Sequence, residues 1–249
     1  YNLCPIALEK KLVEAEKNGL LPKVVVVVHM CGAVADLERI SKLARKYKFK
    51  IIEDASHAIG ASYATSMVGS CEFSDITIFS FHPVKIITTA EGGVATTNDK
   101  VLNDRLLLFR SHGITRDKGK FIDGSHGSWY YQQDELGYNY RMTDLQAALG
   151  ISQLERLEKF VDRRNQIAKI YKLAFDTLPL TTQKILPDSI SSYHLFVINL
   201  TDSSKRLEVF DELRSKGIGV NVHYIPVHTQ PLYANHGFKP NDFPNSMHY

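Results

Sequence analysis

The sequence lacks any block of like charge. Its 30 Lys and Arg residues are interspersed among 27 Asp and Glu residues, for a net charge of +3. That pattern gives neither a basic footprint for nucleic acid nor an acidic tail. Long apolar runs are missing too. VVVVVHMCGAVA (24–35) is the longest uncharged apolar stretch, and it is too short for a membrane span and interrupted by His and Gly. No signal peptide is recognisable, so neither a membrane nor a secretory route is expected. Cysteine is scarce. Cys4, Cys31 and Cys71 are odd in number, scattered and outside any C-x-x-C pair, which suits small buried thiols in a reducing cytoplasm rather than disulfides. His29 lies two residues before Cys31, but the ligand count stops there and no metal site is expected. Also absent is a G-x-G-x-x-G between a strand and a helix, which argues against a nicotinamide oxidoreductase.

What is present is an alternating strand and helix pattern. The 249 residues are 44% apolar and 23% charged, enough for one large domain or two small ones with real cores. PIALEKKLVEAEKN (5–18) places Leu8, Leu12 and Ala15 on one helical face behind Pro5. KVVVVVH (23–29) reads as a strand buried on both faces. Asp36 then caps a helix carrying Leu37, Ile40, Leu43, Ala44 and Tyr47 at helical spacing, and KIIED (50–54) follows as the next strand. Together these make a parallel βαβ crossover. Two more strands are expected at 75–81 and 92–97, then a helix from Asp99.

Residues 113–135 read as a long functional loop. Thr143 and Gln146 form a capping box that opens one long helix over 143–172. After Pro179 the pattern becomes short strands, YHLFVINL and IGVNVHY, around one helix. The expected organisation is a large α/β domain over 1–155 and a small α+β domain over 156–249, joined by the long helix.

In open α/β sheets, ligands bind beyond the carboxyl ends of the parallel strands. Asp54 and His57 follow KIIE, Ser80 closes DITIF, and Lys85 lies five residues further on in SFHPVKIITTAEGG. An amine, a carboxylate and a hydroxyl in that setting suit pyridoxal phosphate. The amine condenses with the aldehyde, the carboxylate keeps the pyridine nitrogen protonated, and the hydroxyl takes the phosphate. Each residue also has an ordinary reading. Lys85 fits a solvated surface lysine, Asp54 a turn or cap residue, Ser80 a turn hydroxyl and His57 a satisfied, partly buried histidine.

Longer strings decide between these. IIEDASHAIGASY, DITIFSFHPVKIITTAEGGVATTND and ELGYNYRMTDLQAALGISQLERL resemble the DegT/DnrJ/EryC1/StrS family of sugar aminotransferases. The resemblance covers essentially the whole chain. It implies the fold type I of pyridoxal-phosphate-dependent transferases, a mostly parallel sheet in the large domain and a small α+β C-terminal domain. By that resemblance Lys85 would be the Schiff-base lysine and proton shuttle, Asp54 the partner of the pyridine nitrogen, His57 a hydrogen-bond partner of the ring hydroxyl and Ser80 a phosphate ligand. Asn139, in GYNYR, would reach the cofactor phosphate of a neighbouring subunit, implying a homodimer with shared active sites. Asn221, His223 and Tyr224, in NVHY, would contact a sugar nucleotide, with plain packing as the competing reading. Glu91 lines the site without an assigned role.

SWYYQQDELGYNYRMTD, SSYHLFVI and GVNVHYIPVHTQPLY resemble a subgroup that aminates a UDP-linked 4-keto-6-deoxy-N-acetylhexosamine, with L-glutamate as donor, on the route to pseudaminic acid. The product there is UDP-4-amino-4,6-dideoxy-N-acetyl-β-L-altrosamine. Another member of the family acting on a dTDP- or GDP-linked 4-keto sugar is the nearest alternative. A sugar dehydratase of the family would carry His in place of Lys85. The resemblance also implies an internal piece of a longer chain, since family members carry segments on both sides of this stretch and have Asp where Cys4 stands. A different class of reading follows from that: an inactive remnant that keeps only the scaffold and the dimer surface.

Overall fold

The computed structural model describes residues 1–124 and 126–249. In chain order the main elements are α1 (Pro5–Lys17), β1 (Val24–Val28), α2 (Leu37–Tyr47), β2 (Lys50–Asp54), β3 (Ser62–Tyr63), β4 (Ser66–Met67), β5 (Ile76–Ser80), β6 (Gly93–Thr96) and α3 (Lys100–Arg110). They continue as β7 (Ile114–Thr115), β8 (Gln132–Gln133), α4 (Asp144–Leu154), α5 (Leu157–Phe175), β9 (Leu180–Thr182), β10 (Ser189–Ile190), β11 (Ile198–Leu200) and α6 (Arg206–Ser215). Two compact units emerge. The larger contains Asn2–Ile170 and Lys184–Phe196; the smaller contains Tyr1, Tyr171–Gln183 and Val197–Tyr249.

A four-stranded sheet in the order β1-β2-β5-β6 organises the larger unit. The first three strands are parallel, with Val28 beside Asp54 and Asp54 beside Ile78. β6 runs antiparallel to β5, pairing Ser80 with Gly93. Helix α2 forms where Asp36 accepts the Arg39 amide hydrogen, and it buries Leu37, Ile40, Leu43 and Tyr47. These side chains meet Val27, Ile51 and Phe79 from one face of the sheet, together with Leu12 of α1. One further turn device holds the sheet edge. A Cβ on Gly93 would lie 2.8 Å from the Phe79 carbonyl oxygen, so only glycine lets β6 pair this closely.

The β-branched run is buried on one face only. Val24, Val26 and Val28 are 45, 56 and 45% exposed, whereas Val27 is fully buried. A parallel sheet buries both faces only when elements pack on both sides. Here α1 and α2 supply the packing for the Val27 face. The expected helix over 143–172 is also two helices. Thr143 and Gln146 do form the capping box, but at 155–156 the bonding tightens, with the Arg156 amide donating to Gln153 three residues back. An i→i−3 bond ends the α-helical ladder, and α5 starts afresh at Leu157.

In the smaller unit β9 and β11 form an antiparallel pair, followed by α6. The expected strand over 218–224 is absent there. Ile218, Val222 and Tyr224 are half-exposed, and among the described residues no strand pairs with them, so their backbone gains no ladder. Among the described residues no helix is long and apolar enough to cross a membrane.

Candidate active site

The site is built where β2 and β5 end. Because Asp54 sits beside Ile78 in register, and side chains alternate along a strand, Asp54, Ile78 and Ser80 rise from the same face. Asp54 Oδ1 accepts the Ser56 amide hydrogen at 3.0 Å, an Asx turn that holds the carboxylate at the strand end. The Ser80 hydroxyl lies 3.5 Å from the His82 amide nitrogen. Both residues are partly buried.

Lys85 is carried by the loop between β5 and β6. His82, Pro83, Val84 and Lys85 form a turn closed by the Lys85 amide donating to the His82 carbonyl at 2.9 Å, with Pro at the position whose φ it presets. Ile86 and Ile87 follow, 7 and 2% exposed. They anchor the loop and leave Lys85 partly exposed at its rim.

The Thr-Thr-Ala-Glu-Gly-Gly run staples that loop shut. The Phe81 amide donates to Gly92 at 2.8 Å, and the Phe81 carbonyl accepts from the Thr89 amide at 3.0 Å. The Thr88 hydroxyl adds a second bond to the Phe81 carbonyl at 2.9 Å. The Thr89 hydroxyl donates to the Glu91 carbonyl at 2.8 Å, which also accepts from Gln146 Nε2 at 2.9 Å. Thr88, Thr89 and Gln146 are therefore supporting residues that sequence reasoning missed. The side chain of Glu91 is exposed and lies 3.8 Å from His82 Nε2.

His57 follows the β2 end and is held from its main chain and its ring. Its carbonyl accepts from the Ser192 hydroxyl at 2.9 Å, and its Nδ1 accepts from the Cys31 amide at 3.3 Å. Burial pushes the Cys31 thiol up to about 11, so this sulfur stays protonated and is no nucleophile.

Behind the strand ends lies a buried polar cluster that the sequence did not announce. His29 and Glu53 are 0 and 2% exposed, and His29 Nε2 donates to Glu53 Oε2 at 2.7 Å. The assignment of the proton follows from Nδ1, which accepts the Ala35 amide hydrogen at 3.2 Å. Glu53 Oε1 accepts from the hydroxyls of Ser74 and Thr77. Burial pushes the Glu53 carboxyl upward, but the bonds from His29, Ser74 and Thr77 outweigh it and hold it below the ordinary carboxylate range.

Asn139 is exposed and forms an isolated antiparallel bridge with Ser111. It is flanked by Tyr138 and Tyr140, whose rings stack at 4.8 Å between centroids. Asn221, His223 and Tyr224 belong to the smaller unit. Asn221 and Tyr224 are exposed and His223 is half-buried, with its ring 4.5 Å from that of Tyr224. Among the described residues, no group of three or more His, Cys, Asp or Glu could hold a metal ion.

The chain is similar to several known proteins. It is 40% identical over 230 residues to the UDP-4-amino-4,6-dideoxy-N-acetyl-β-L-altrosamine transaminase of Campylobacter jejuni, covering 91% of this chain and 57% of the relative. It is 37% identical over 212 residues to the GDP-perosamine synthase of Escherichia coli O157:H7, covering 85% of this chain and 54% of that protein. A Streptococcus pneumoniae protein described as a sugar aminotransferase, solved in its PMP form, superposes with a TM-score of 0.86 at 29% identity. That match covers 98% of this chain and 65% of the solved one. This chain thus spans less than two thirds of the length of each. All of residues 1–249 match a single family, and the chain belongs to the DegT/DnrJ/EryC1/StrS aminotransferase family.

Proposed function

We propose that the protein containing this chain is a pyridoxal-phosphate-dependent aminotransferase acting on a nucleotide-linked 4-keto sugar. The observation that carries this reading is Lys85, on the stapled loop that follows the strand ending at Ser80, itself paired with the strand that ends at Asp54. The donor set fits the cofactor: a carboxylate at the end of β2, a hydroxyl at the end of the neighbouring β5 and an amine on the fixed loop that follows it. Bound there, pyridoxal phosphate supplies an electron sink for the bond being broken at the amino-bearing carbon.

The residues of the chain do the rest. Lys85 would hold the cofactor covalently and, as a free amine, would move the proton at the amino-bearing carbon. Asp54 keeps the pyridine nitrogen protonated. Ser80 binds phosphate, and His57 bonds the ring oxygen. Asn139 reaches a phosphate in a second copy of the chain, and the exposed tyrosine pair around it is consistent with a covered two-fold surface. Asn221, His223 and Tyr224 contact the sugar nucleotide.

For the substrate, 40% identity to the altrosamine transaminase supports a UDP-linked 4-keto-6-deoxy-N-acetylhexosamine aminated with L-glutamate, for pseudaminic acid synthesis. Similarity to the GDP-perosamine synthase supports the second reading, a GDP-linked 4-keto sugar. Reduction with borohydride in the presence of pyridoxal phosphate, followed by peptide mapping, tests the site. A pyridoxyl group on Lys85 is expected, absent in Lys85→Ala, which also loses turnover while keeping its fold. A label on another lysine, or steady-state transamination by Lys85→Ala, would refute the assignment. Parallel turnover of the UDP- and GDP-linked ketones separates the two substrate readings.

A further inference from the structure

We infer that the main-chain amide of Cys31 fixes the tautomer of His57, placing the ring proton on Nε2, so that Cys31 is a positioning residue for the site. A ring nitrogen that accepts a hydrogen bond carries no proton, and a neutral imidazole has only one. The Cys31 amide donates to His57 Nδ1, which leaves Nε2 as the protonated nitrogen. His57 therefore meets its ligand as a donor, suited to an oxygen that carries lone pairs or negative charge rather than to a hydroxyl that must give a proton away.

The amide is aimed by a built scaffold. Cys31 holds φ at 61°, a left-handed conformation uncommon for a residue with a side chain. Its peptide is bracketed by the segment around Ser192: the Leu195 amide donates to the Cys31 carbonyl at 3.3 Å and the Ser192 amide to the Gly32 carbonyl at 3.1 Å. Approach is so close that a Cβ on Gly32 would lie 2.6 Å from Ser192 Oγ and 2.9 Å from the Tyr193 nitrogen.

That segment is itself fixed from α5, where Arg164 donates to the Tyr193 carbonyl at 2.9 Å and Asn165 to the Ser191 carbonyl at 2.9 Å. On the other side the His29 amide donates to the Asp54 carbonyl at 3.1 Å. The Cys31 loop thus leaves β1 tied to the strand that carries Asp54. The His194 ring packs against His57 with 4.4 Å between centroids. The sulfur of Cys31 plays no part. The role belongs to its N–H.

The catalytic meaning rests on the pyridoxal phosphate reading above; the tautomer itself does not. The protein is labelled with ¹⁵N-histidine, and its ring nitrogens are observed without cofactor at a pH where His57 is neutral. Its signals are assigned by their loss in His57→Gln. A single tautomer with unprotonated Nδ1 and protonated Nε2 is expected, with a coupling across the hydrogen bond from the Cys31 amide to Nδ1. Protonated Nδ1, an averaged pair of tautomers or no such coupling would overturn the inference.

A second readout uses pyridoxal phosphate affinity. His57→Gln, whose side-chain amide can both accept and donate, should stay within roughly tenfold of the parent, and His57→Phe should fall further. Equal affinity of the two variants would also overturn it. A correct tautomer in a protein that forms no borohydride-fixed adduct would count against the cofactor reading alone.

Discussion

Removing the His29 imidazole tests how the strand ends are held. In His29→Leu, Glu53 stays buried and loses its 2.7 Å donor, while the Ala35 amide loses its acceptor at 3.2 Å. A hydrogen bond to a charged group contributes about 1.5–3 kcal/mol, and an orphaned buried donor costs about 1–3 kcal/mol. Leucine recovers part of the lost packing, so the net destabilisation should be about 3–5 kcal/mol, the range for breaking a buried pair. Urea unfolding of the protein near about pH 7 measures it.

The sign of the pH dependence sharpens the test. In the parent, the Glu53 carboxyl lies below its ordinary 4.5. Its stabilisation is therefore complete above that value and is lost as pH falls through the lower folded one. In His29→Leu the burial effect faces fewer donors, so the carboxyl moves up and protonation relieves the buried charge. The deficit should narrow between about pH 7 and about pH 5. The double variant His29→Leu/Glu53→Leu should recover much of the loss, because removing both partners leaves no unpaired charge. A deficit below about 1 kcal/mol, or one that does not change with pH, would refute the reasoning.

Two other outcomes follow from the geometry. Thr88→Ala removes one bond to the Phe81 carbonyl and should cost about 1 kcal/mol of stability, with a lower turnover number and little change in KM; Thr88→Ser should restore both, and a variant indistinguishable from the parent in stability and kinetics would contradict the stapling role. Alkylating reagent near neutral pH should modify exposed Cys4 before buried Cys31 and Cys71, and mass spectrometry showing early label on Cys31 would contradict its raised thiol.

Local signals in the sequence were read directly into structure. Asp36, Asp99 and Thr143 cap their helices as their side-chain chemistry predicts, and the strand–helix–strand spacing gives the parallel pair of β1 and β2. The location of Lys85 after a Pro turn was equally visible. What stayed hidden depends on pairs far apart in the chain. Glu53 and His29 meet only because β1 and β2 lie side by side, and the Ser192 hydroxyl reaches His57 across 135 residues. The valine run misled because composition cannot say whether a second layer covers a strand. The expected strand over 218–224 had the apolar alternation, but among the described residues no strand runs beside it.

Gln146 joins two parts of the fold through one amide group. Its Oε1 accepts the Thr143 amide hydrogen at 3.0 Å while its Nε2 holds the Glu91 carbonyl. Fraying the first turn of α4 therefore removes one of the bonds that hold the lysine loop. The two segments should open as a single cooperative unit, with backbone amides of Ala147 and Thr89 exchanging their hydrogens for deuterium at matched rates.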